Sequence, residues 1–293
     1  MSLLSATGPN AEQITYWNEA AAPKWIRYQD VLDEQLRSLG ERTMDLGAIG
    51  AGERVLDVGC GCGATTLEIA RRVGSSGAVV GIDISAPMLA HAQDRIRAAG
   101  AANVELRNAD AQTHAFGSER FDLVYSRFGV MFFADPGRAF ANLRRALRPG
   151  GRLAFVCWQS LDKNPWMAVP MAAAAREIAF PPPPAPGTPG PFAFADAARV
   201  RGILEEAGFG DSTFTAHEEV LTIGGTRSLA EAVEFLVQMG PTGAALRQAD
   251  ADAAVRVQAV VKSALTPYVT RAGVRMDSAA WIVGGVNPPA ATR

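Results

Sequence analysis

The chain has 293 residues, 48% of them hydrophobic and 20% charged, an ordinary globular composition that excludes a largely disordered protein. Lys and Arg total 28 against 30 Asp and Glu, net charge −2, so no basic surplus points to nucleic acid or to an anionic membrane. No apolar run reaches membrane-spanning length, the N-terminus lacks the pattern of a secretory signal, and Cys60, Cys62 and Cys157 are too few for a disulfide framework, so a reducing, cytoplasmic setting is expected.

Residues 11–40 are aromatic and amphipathic, with Tyr16, Trp17, Trp25, Tyr28, Leu32, Leu36 and Leu39. From Trp25 onward the apolar spacing is mostly three or four, which predicts a helix ending at Gly40. From Arg54 to Trp158 strands and helices alternate. Val55–Val58 reads as a strand, Ala64–Val73 as a helix stopped by Gly74, and Ala78–Ile84 as a second strand. Ser85 and Pro87 open a helix whose Met88, Leu89, Ala92 and Ile96 share one face, closed by Gly100. Val104–Leu106 and Phe121–Ser126 read as the third and fourth strands. Asp135 and Pro136 start a helix with Phe140, Leu143 and Leu147 along its buried stripe, and Pro149-Gly150-Gly151 turns the chain into a fifth strand, Leu153–Trp158. This rhythm predicts an α/β fold, a mostly parallel sheet with helices on both faces.

Beyond Trp158 the rhythm changes. Trp166–Ile178 reads as a helix broken or kinked at Pro170. Residues 181–191 hold seven prolines and two glycines and read as a stiff extended loop. Ala197–Ala207 reads as a helix stopped by Gly208, Thr213–Ile223 as a strand, and 228–270 as mostly helical with a break at Gly240-Pro241. Ala280–Val283 is the expected last strand, followed by a loose tail from Asn287.

The sharpest local signal is Gly59-Cys60-Gly61-Cys62-Gly63, placed where the first strand ends and a helix begins. Glycines there let the backbone turn tightly and approach a ligand closely, and the helix start offers free N–H groups. Gly59-x-Gly61-x-x-Ala64 also satisfies the dinucleotide fingerprint, and Asp83, ending the second strand, can accept from both hydroxyls of a ribose. Both features are shared by nicotinamide and adenosyl ligands. Asp57, just before the loop, suits a cationic ligand better than a pyrophosphate, which it would repel. Asp110, near the end of the third strand, can accept from an exocyclic amine such as adenine N6.

In order, LDVGCGCG, GIDIS, NADA, FDLVYSRFGVMFF and RPGGRLAF resemble the motifs of the class I S-adenosylmethionine-dependent methyltransferases over Val55–Trp158. The resemblance implies a Rossmann-like fold with helical lid elements and S-adenosylmethionine as cofactor, leaving S-adenosylhomocysteine as product. Gly59, Cys60 and Gly61 would line the methionine and ribose by backbone contact. Asp83 would bind the ribose, Ile84 and Met88 would pack on adenine, and Asp110 and the Ala111 N–H would read the adenine edge. Ser126 would lie near the methionine amino-acid group, and Asp57 would act through water or by shaping the loop. Tyr16, Trp17 and Trp25 would belong to an N-terminal lid, with Trp25 against the cofactor. The organisation implied is a helical lid over 1–50, a cofactor-binding core over 51–159, an inserted lid over 160–211 and a segment over 212–293 that completes the core and carries a helical insert.

Methyl transfer to an O, N or C atom of a small, fairly apolar metabolite is the expected activity. An NAD(P)-dependent oxidoreductase and a non-catalytic S-adenosylmethionine-binding protein are the alternatives. Ser126-Arg127-Phe128-Gly129 does not match the Asp/Asn-Pro-Pro-Tyr/Phe pattern of family members that methylate planar amide or base nitrogens, which disfavours nucleic acid as acceptor. Of His91, His114 and His217, none is assigned as a base. Cys60 and Cys62 lack the further ligands of a zinc site, so no metal is expected.

Overall fold

The computed structural model describes residues 4–117, 120–225, 228–247, 249–250 and 252–289. The expected loose tail beyond 289, and residues 248 and 251 of the expected helical stretch, lie outside them.

Strand β1 (Arg54–Val58) is buried from Val55 to Val58, on both faces, which is why its sequence shows a continuous apolar run rather than alternation. It lies between β2 (Ala78–Asp83) and β4 (Phe121–Arg127), with β3 (Val104–Asn108) beyond β2 and β5 (Leu147–Trp158) beyond β4, all parallel. The remaining strands are β6 (Gly210–Thr222), the two-residue β7 (Val269–Thr270) and β8 (Gly273–Val286). The sheet order is β3-β2-β1-β4-β5-β8-β6, with β7 paired to β8 and β8 antiparallel to β5 and β6. The order reverses direction beside β1, and at such a switch point ligands bind outside the carboxyl ends of the strands.

The N-terminal segment forms α1 (Ala11–Thr15), a π turn (Tyr16–Ala20), α2 (Ala22–Arg27), α3 (Gln29–Gln35) and α4 (Arg37–Leu46). Within the alternating region lie α5 (Ala64–Val73), α6 (Ala86–Ala99) and α7 (Pro136–Ala146). After β5 come α8 (Pro165–Ala174), α9 (Ala197–Glu206), α10 (Leu229–Gln238), α11 (Gly240–Leu246) and α12 (Ala253–Leu265). One sheet face presents Val55, Leu123, Tyr125 and Ala154 to Met44 of α4 and Ile69 and Val73 of α5. The opposite face presents Leu56, Val124 and Phe155 to a larger core that includes Phe140 and Leu143 of α7 and Leu204 of α9. The expected mostly parallel α/β sheet with helices on both faces is the architecture observed.

Some expectations need correction. Gly40 does not end a helix; it sits inside α4, where a Cβ would come within 3.2 Å of Arg127 Cδ. Its lack of a side chain admits Tyr125, whose hydroxyl donates to the Gly40 carbonyl at 3.1 Å. Pro170 does not break α8, which runs through it and ends at Ala174 rather than at Ile178; buried packing against α11 and α12 holds the helix together. The expected break at Gly240-Pro241 is observed, α10 ending at Gln238 and α11 opening at Gly240. The last strand spans 14 residues rather than four. Gly284 and Gly285 hide its C-terminal end from the pattern, yet a Cβ at Gly284 would meet Thr213 Oγ1 at 2.8 Å, so the strand needs that glycine. Asn287 is not loose: its backbone N–H donates to Gly151 and its side-chain amide to the Leu147 and Arg148 carbonyls.

Candidate cofactor and acceptor site

β1 delivers the chain into the glycine loop, and α5 leaves it. Gly59 and Gly61 have φ of +70° and +53°, in the left-handed region that side chains disfavour. A Cβ on Gly59 would stand 2.9 Å from the Cα of Gly129, and one on Gly61 would stand 2.9 Å from Met88 Cε. Gly129 belongs to the turn after β4, where a Cβ of its own would meet the Val58 carbonyl at 2.8 Å. Ser126 ties this contact together. Its buried hydroxyl donates to the Val58 carbonyl at 2.8 Å and accepts from Gly129 N–H at 3.2 Å. That hydroxyl therefore ties the two loops together. Between them Phe128 takes φ +59°, a conformation a bulky residue adopts only when its surroundings enforce it.

Three carboxylates lie at or just beyond the carboxyl ends of β1, β2 and β3. Asp57 is fully buried; its Oδ2 accepts from Thr65 and Thr66 hydroxyls at 2.8 and 2.6 Å, while Oδ1 has no partner. Burial pushes its carboxyl up to about 6, against the opposing pull of the two threonines and of Arg127. Asp83 accepts from Gly61 N–H and Ser85 N–H, both at 2.8 Å, so its orientation is set by the loop itself. Burial raises its pKa too, and these backbone bonds oppose the rise. Asp110 accepts from Asn10 Nδ2 and Gln112 N–H, each at 2.9 Å, and the adjacent Ala111 is buried.

The N-terminal segment covers these strand ends. Asn18 donates to the Ile84 carbonyl at 2.9 Å and accepts from Ala86 N–H at 3.0 Å, and Ser85 Oγ donates to the Trp17 carbonyl at 2.8 Å. Ala22, Cys62 and Met88 form an apolar cluster against which Trp17, Trp25 and Ile26 pack. Cys60 packs instead with Leu89, Ala92 and Ile96 of α6 and with Leu106. Burial pushes the Cys62 thiol up to about 12 and the Cys60 thiol well above its usual value, so neither is a thiolate. A two-sided ion pair locks α3 in place: Asp33 binds Arg127 and Arg95, each at 3.0 Å, and Arg95 also donates to the Cys62 carbonyl at 2.9 Å.

Asn10, Asn18, Asp33, Arg95, Arg127 and Gly129 were not evident from sequence as parts of this site. Asn10 joins Asp110, Gln112 and the Ala134 N–H. The available signal was the polar residues set among the N-terminal aromatics, and the glycine one step after the fourth strand.

On the far side of β4, Phe128 stacks on Trp158 with centroids 4.1 Å apart, and Trp166 meets Trp158 edge-on at 5.3 Å. His114 packs edge-on against Phe116, and His91 is part of α6. His217 lies on β6, 3.3 Å from Glu219 and four strand positions from β1, roughly 19 Å at the usual inter-strand spacing.

Residues 55–151 match the family described as "Methyltransferase domain". The chain is 41% identical to aklanonic acid methyltransferase DauC of Streptomyces sp. over 117 residues, 40% of this chain and 53% of that protein. It is 36% identical to the ubiquinone/menaquinone biosynthesis C-methyltransferase UbiE of Ectopseudomonas mendocina over 160 residues, 54% of this chain and 62% of that protein. The chain thus spans about half to three-fifths of the length of these curated relatives. The YcgJ protein of Bacillus subtilis shares the fold at a TM-score of 0.56 and 17% identity, over 86% of this chain and 98% of that one. The [4+2]-cyclase SpnF shares it at 0.50 and 22% identity, over 86% of this chain and 80% of that one. The fold is shared with these solved structures. Residues 55–151 thus match a methyltransferase domain.

Proposed function

We propose that the protein transfers a methyl group from S-adenosylmethionine to a small-molecule acceptor. The observation that carries this reading is Asp57, a fully buried carboxylate with one oxygen unpartnered beside the glycine loop. A cationic ligand would compensate it, whereas a pyrophosphate would meet repulsion from Asp57 and Asp83. That disfavours the nicotinamide alternative.

In this reading Gly59, Cys60 and Gly61 line the cofactor's methionine and ribose by backbone, and Asp83 accepts from the ribose hydroxyls. Ile84, Met88 and Trp25 flank adenine, and Asp110 with the Ala111 N–H faces its edge. Ser126 acts by positioning the loop. The cofactor, when bound, supplies an electrophilic methyl group on a sulfonium. The chain's part is alignment and exclusion of water, served by the N-terminal cover and the aromatic wall. No histidine is assigned a proton-transfer role.

Two groups of relatives act on small molecules by name, aklanonic acid for one and ubiquinone or menaquinone precursors for the other, which supports a small-molecule acceptor here. No helix among the described residues is long and apolar enough to cross a membrane, and the three free, buried cysteines fit a cytoplasmic setting. Because SpnF carries this fold as a cyclase, the test must follow the methyl group. Incubation with methyl-labelled S-adenosylmethionine and a panel of small acceptors should release S-adenosylhomocysteine in step with label in the acceptor. Conversion of an acceptor without S-adenosylhomocysteine would contradict the proposal.

A further inference from the structure

Asn10 stands at the N-cap of α1, where an asparagine side chain ordinarily accepts from the first N–H groups of its own helix. Here it makes no such bond. It is 3% exposed and reaches across the molecule instead. Its Oδ1 accepts from Ala134 N–H at 2.8 Å, and its Nδ2 donates to Asp110 Oδ1 at 2.9 Å and to Gln112 Oε1 at 3.3 Å. A backbone N–H can only donate, so Ala134 fixes which end of the amide is the oxygen, and Nδ2 faces Asp110. Gln112 is itself buried, and its Oε1 also accepts from Asp135 N–H at 3.0 Å. One side chain of the N-terminal cover thus ties the loop after β3 to the turn before α7.

These bonds converge on Asp110. Its Oδ1 accepts from both Asn10 Nδ2 and Gln112 N–H, which uses the two lone pairs of that oxygen. Its Oδ2 accepts from Thr113 Oγ1 at 3.3 Å and keeps a lone pair. The neighbouring Ala111 N–H bonds to no described residue. An acceptor and a donor therefore stand side by side in consecutive residues. Asn108 Nδ2 and Ala109 N–H both donate to the Asp83 carbonyl at 3.1 Å, so this pair is tied to the expected ribose acceptor. An adenine edge, with its N6 amino donor and N1 acceptor, complements the pair. A hypoxanthine edge, with O6 and N1–H, reverses both positions and leaves the protein groups unpaired.

We infer that Asn10 is a positioning residue for the cofactor's base: by filling Oδ1 of Asp110 from the N-terminal cover, it leaves Oδ2 to an amino donor, so adenine is told from hypoxanthine only while the cover is in place. The inference deepens the methyltransferase reading of the site and rests on it. Asn10 need not touch the cofactor, because it acts through Asp110. Base recognition and docking of α1 become one event, and by reciprocity a ligand that satisfies Asp110 holds the cover down. Asn18 fastens the same cover through the Ile84 carbonyl and Ala86 N–H, away from Asp110, so it contributes docking without base selection.

The test titrates the full chain with S-adenosylhomocysteine and with S-inosylhomocysteine, its 6-oxo counterpart. The wild-type protein should favour the adenosyl ligand by about a hundredfold or more. Asn10→Ala should bind S-adenosylhomocysteine roughly tenfold more weakly and S-inosylhomocysteine within about twofold of wild type, so the preference shrinks. Asn18→Ala should weaken both ligands alike. A second readout needs no variant and decides the matter if Asn10→Ala fails to fold. In the wild-type protein, amide exchange in α1 should slow at saturation with S-adenosylhomocysteine and change little at saturation with S-inosylhomocysteine. Equal loss of both ligands in Asn10→Ala, no loss of either, no preference in the wild-type protein, or equal protection of α1 overturns the inference. If S-adenosylhomocysteine itself fails to bind the wild-type protein, the methyltransferase reading fails instead, so the two failures are separable.

Discussion

Gly59 and Gly129 meet backbone to backbone: a Cβ added to Gly59 would lie 2.9 Å from the Gly129 Cα, and one added to Gly129 would lie 3.0 Å from the Gly59 Cα. The loop after β1 and the turn after β4 can approach so closely only because neither residue has a side chain. This contact lies at the switch point of the sheet, and Ser126 holds it shut with two hydrogen bonds.

Gly59→Ala should therefore cost about 3 kcal/mol or more, from left-handed strain plus collision with backbone that cannot swing away. Gly100→Ala shares the strain, at φ +64°, but meets open space, and should cost only about 1–2 kcal/mol. Chemical denaturation of both variants separates the two contributions. Equal losses would show that the Gly59–Gly129 approach is not tight.

Binding of a cationic cofactor should depend on pH through Asp57. Burial holds its carboxyl at about 6, so the free protein protonates it as pH falls through that value. A cation favours the ionised form. Affinity should be flat above pH 7 and fall by up to about tenfold per unit below 6, with proton release on binding near pH 6. The apo-protein should show the opposite trend. The raised pKa contributes stability below about pH 4 that is lost as pH rises through 6. Calorimetry in buffers of different ionisation enthalpy measures the proton count, and Asp57→Asn should abolish it.

Asp83→Ala removes the expected ribose acceptor and also frees the Gly61 N–H that Asp83 orients. Cofactor affinity should drop roughly 10–100-fold, the value of a charge-assisted hydrogen bond. Unchanged affinity would mean that the ribose lies elsewhere.

Asp33 sits between Arg127 and Arg95, with only 14% of its side chain exposed. Asp33→Ala leaves two guanidinium groups facing each other and should destabilise the protein by about 2 kcal/mol. Hydrogen exchange should rise first in α3 and in the amides after Gly61, since Arg95 also holds the Cys62 carbonyl. Exchange confined to α3 would show that the ion pair does not reach the loop.

The parallel core was legible because its signals are local. Apolar strand runs, Ser85 and Asp135 as N-caps, and Gly74 and Gly100 as stops each act within a few residues. Gly40 and Pro170 misled for one shared reason. Their local preferences oppose the helix, but burial against Tyr125 in one case and against α11 and α12 in the other overrides them. The C-terminal end of β8 is hidden in the sequence because Gly284 and Gly285 look like a break, and only the neighbouring strand shows why they are needed. Within the site, the carboxylates on β1 and β2 could be read because motif spacing places them. Asn10, Asn18 and Asp33 could not, because their partners lie 62 to 124 residues away and no local pattern encodes that approach.

The most direct measurement is calorimetric titration of the full chain with S-adenosylhomocysteine and, separately, with NAD⁺ and NADH at pH 7.5. A site built from Asp57, Asp83 and the Gly59 loop for an adenosyl amino acid should bind S-adenosylhomocysteine at one per chain and show no heat with either nicotinamide. Saturable nicotinamide binding with none for S-adenosylhomocysteine would contradict it.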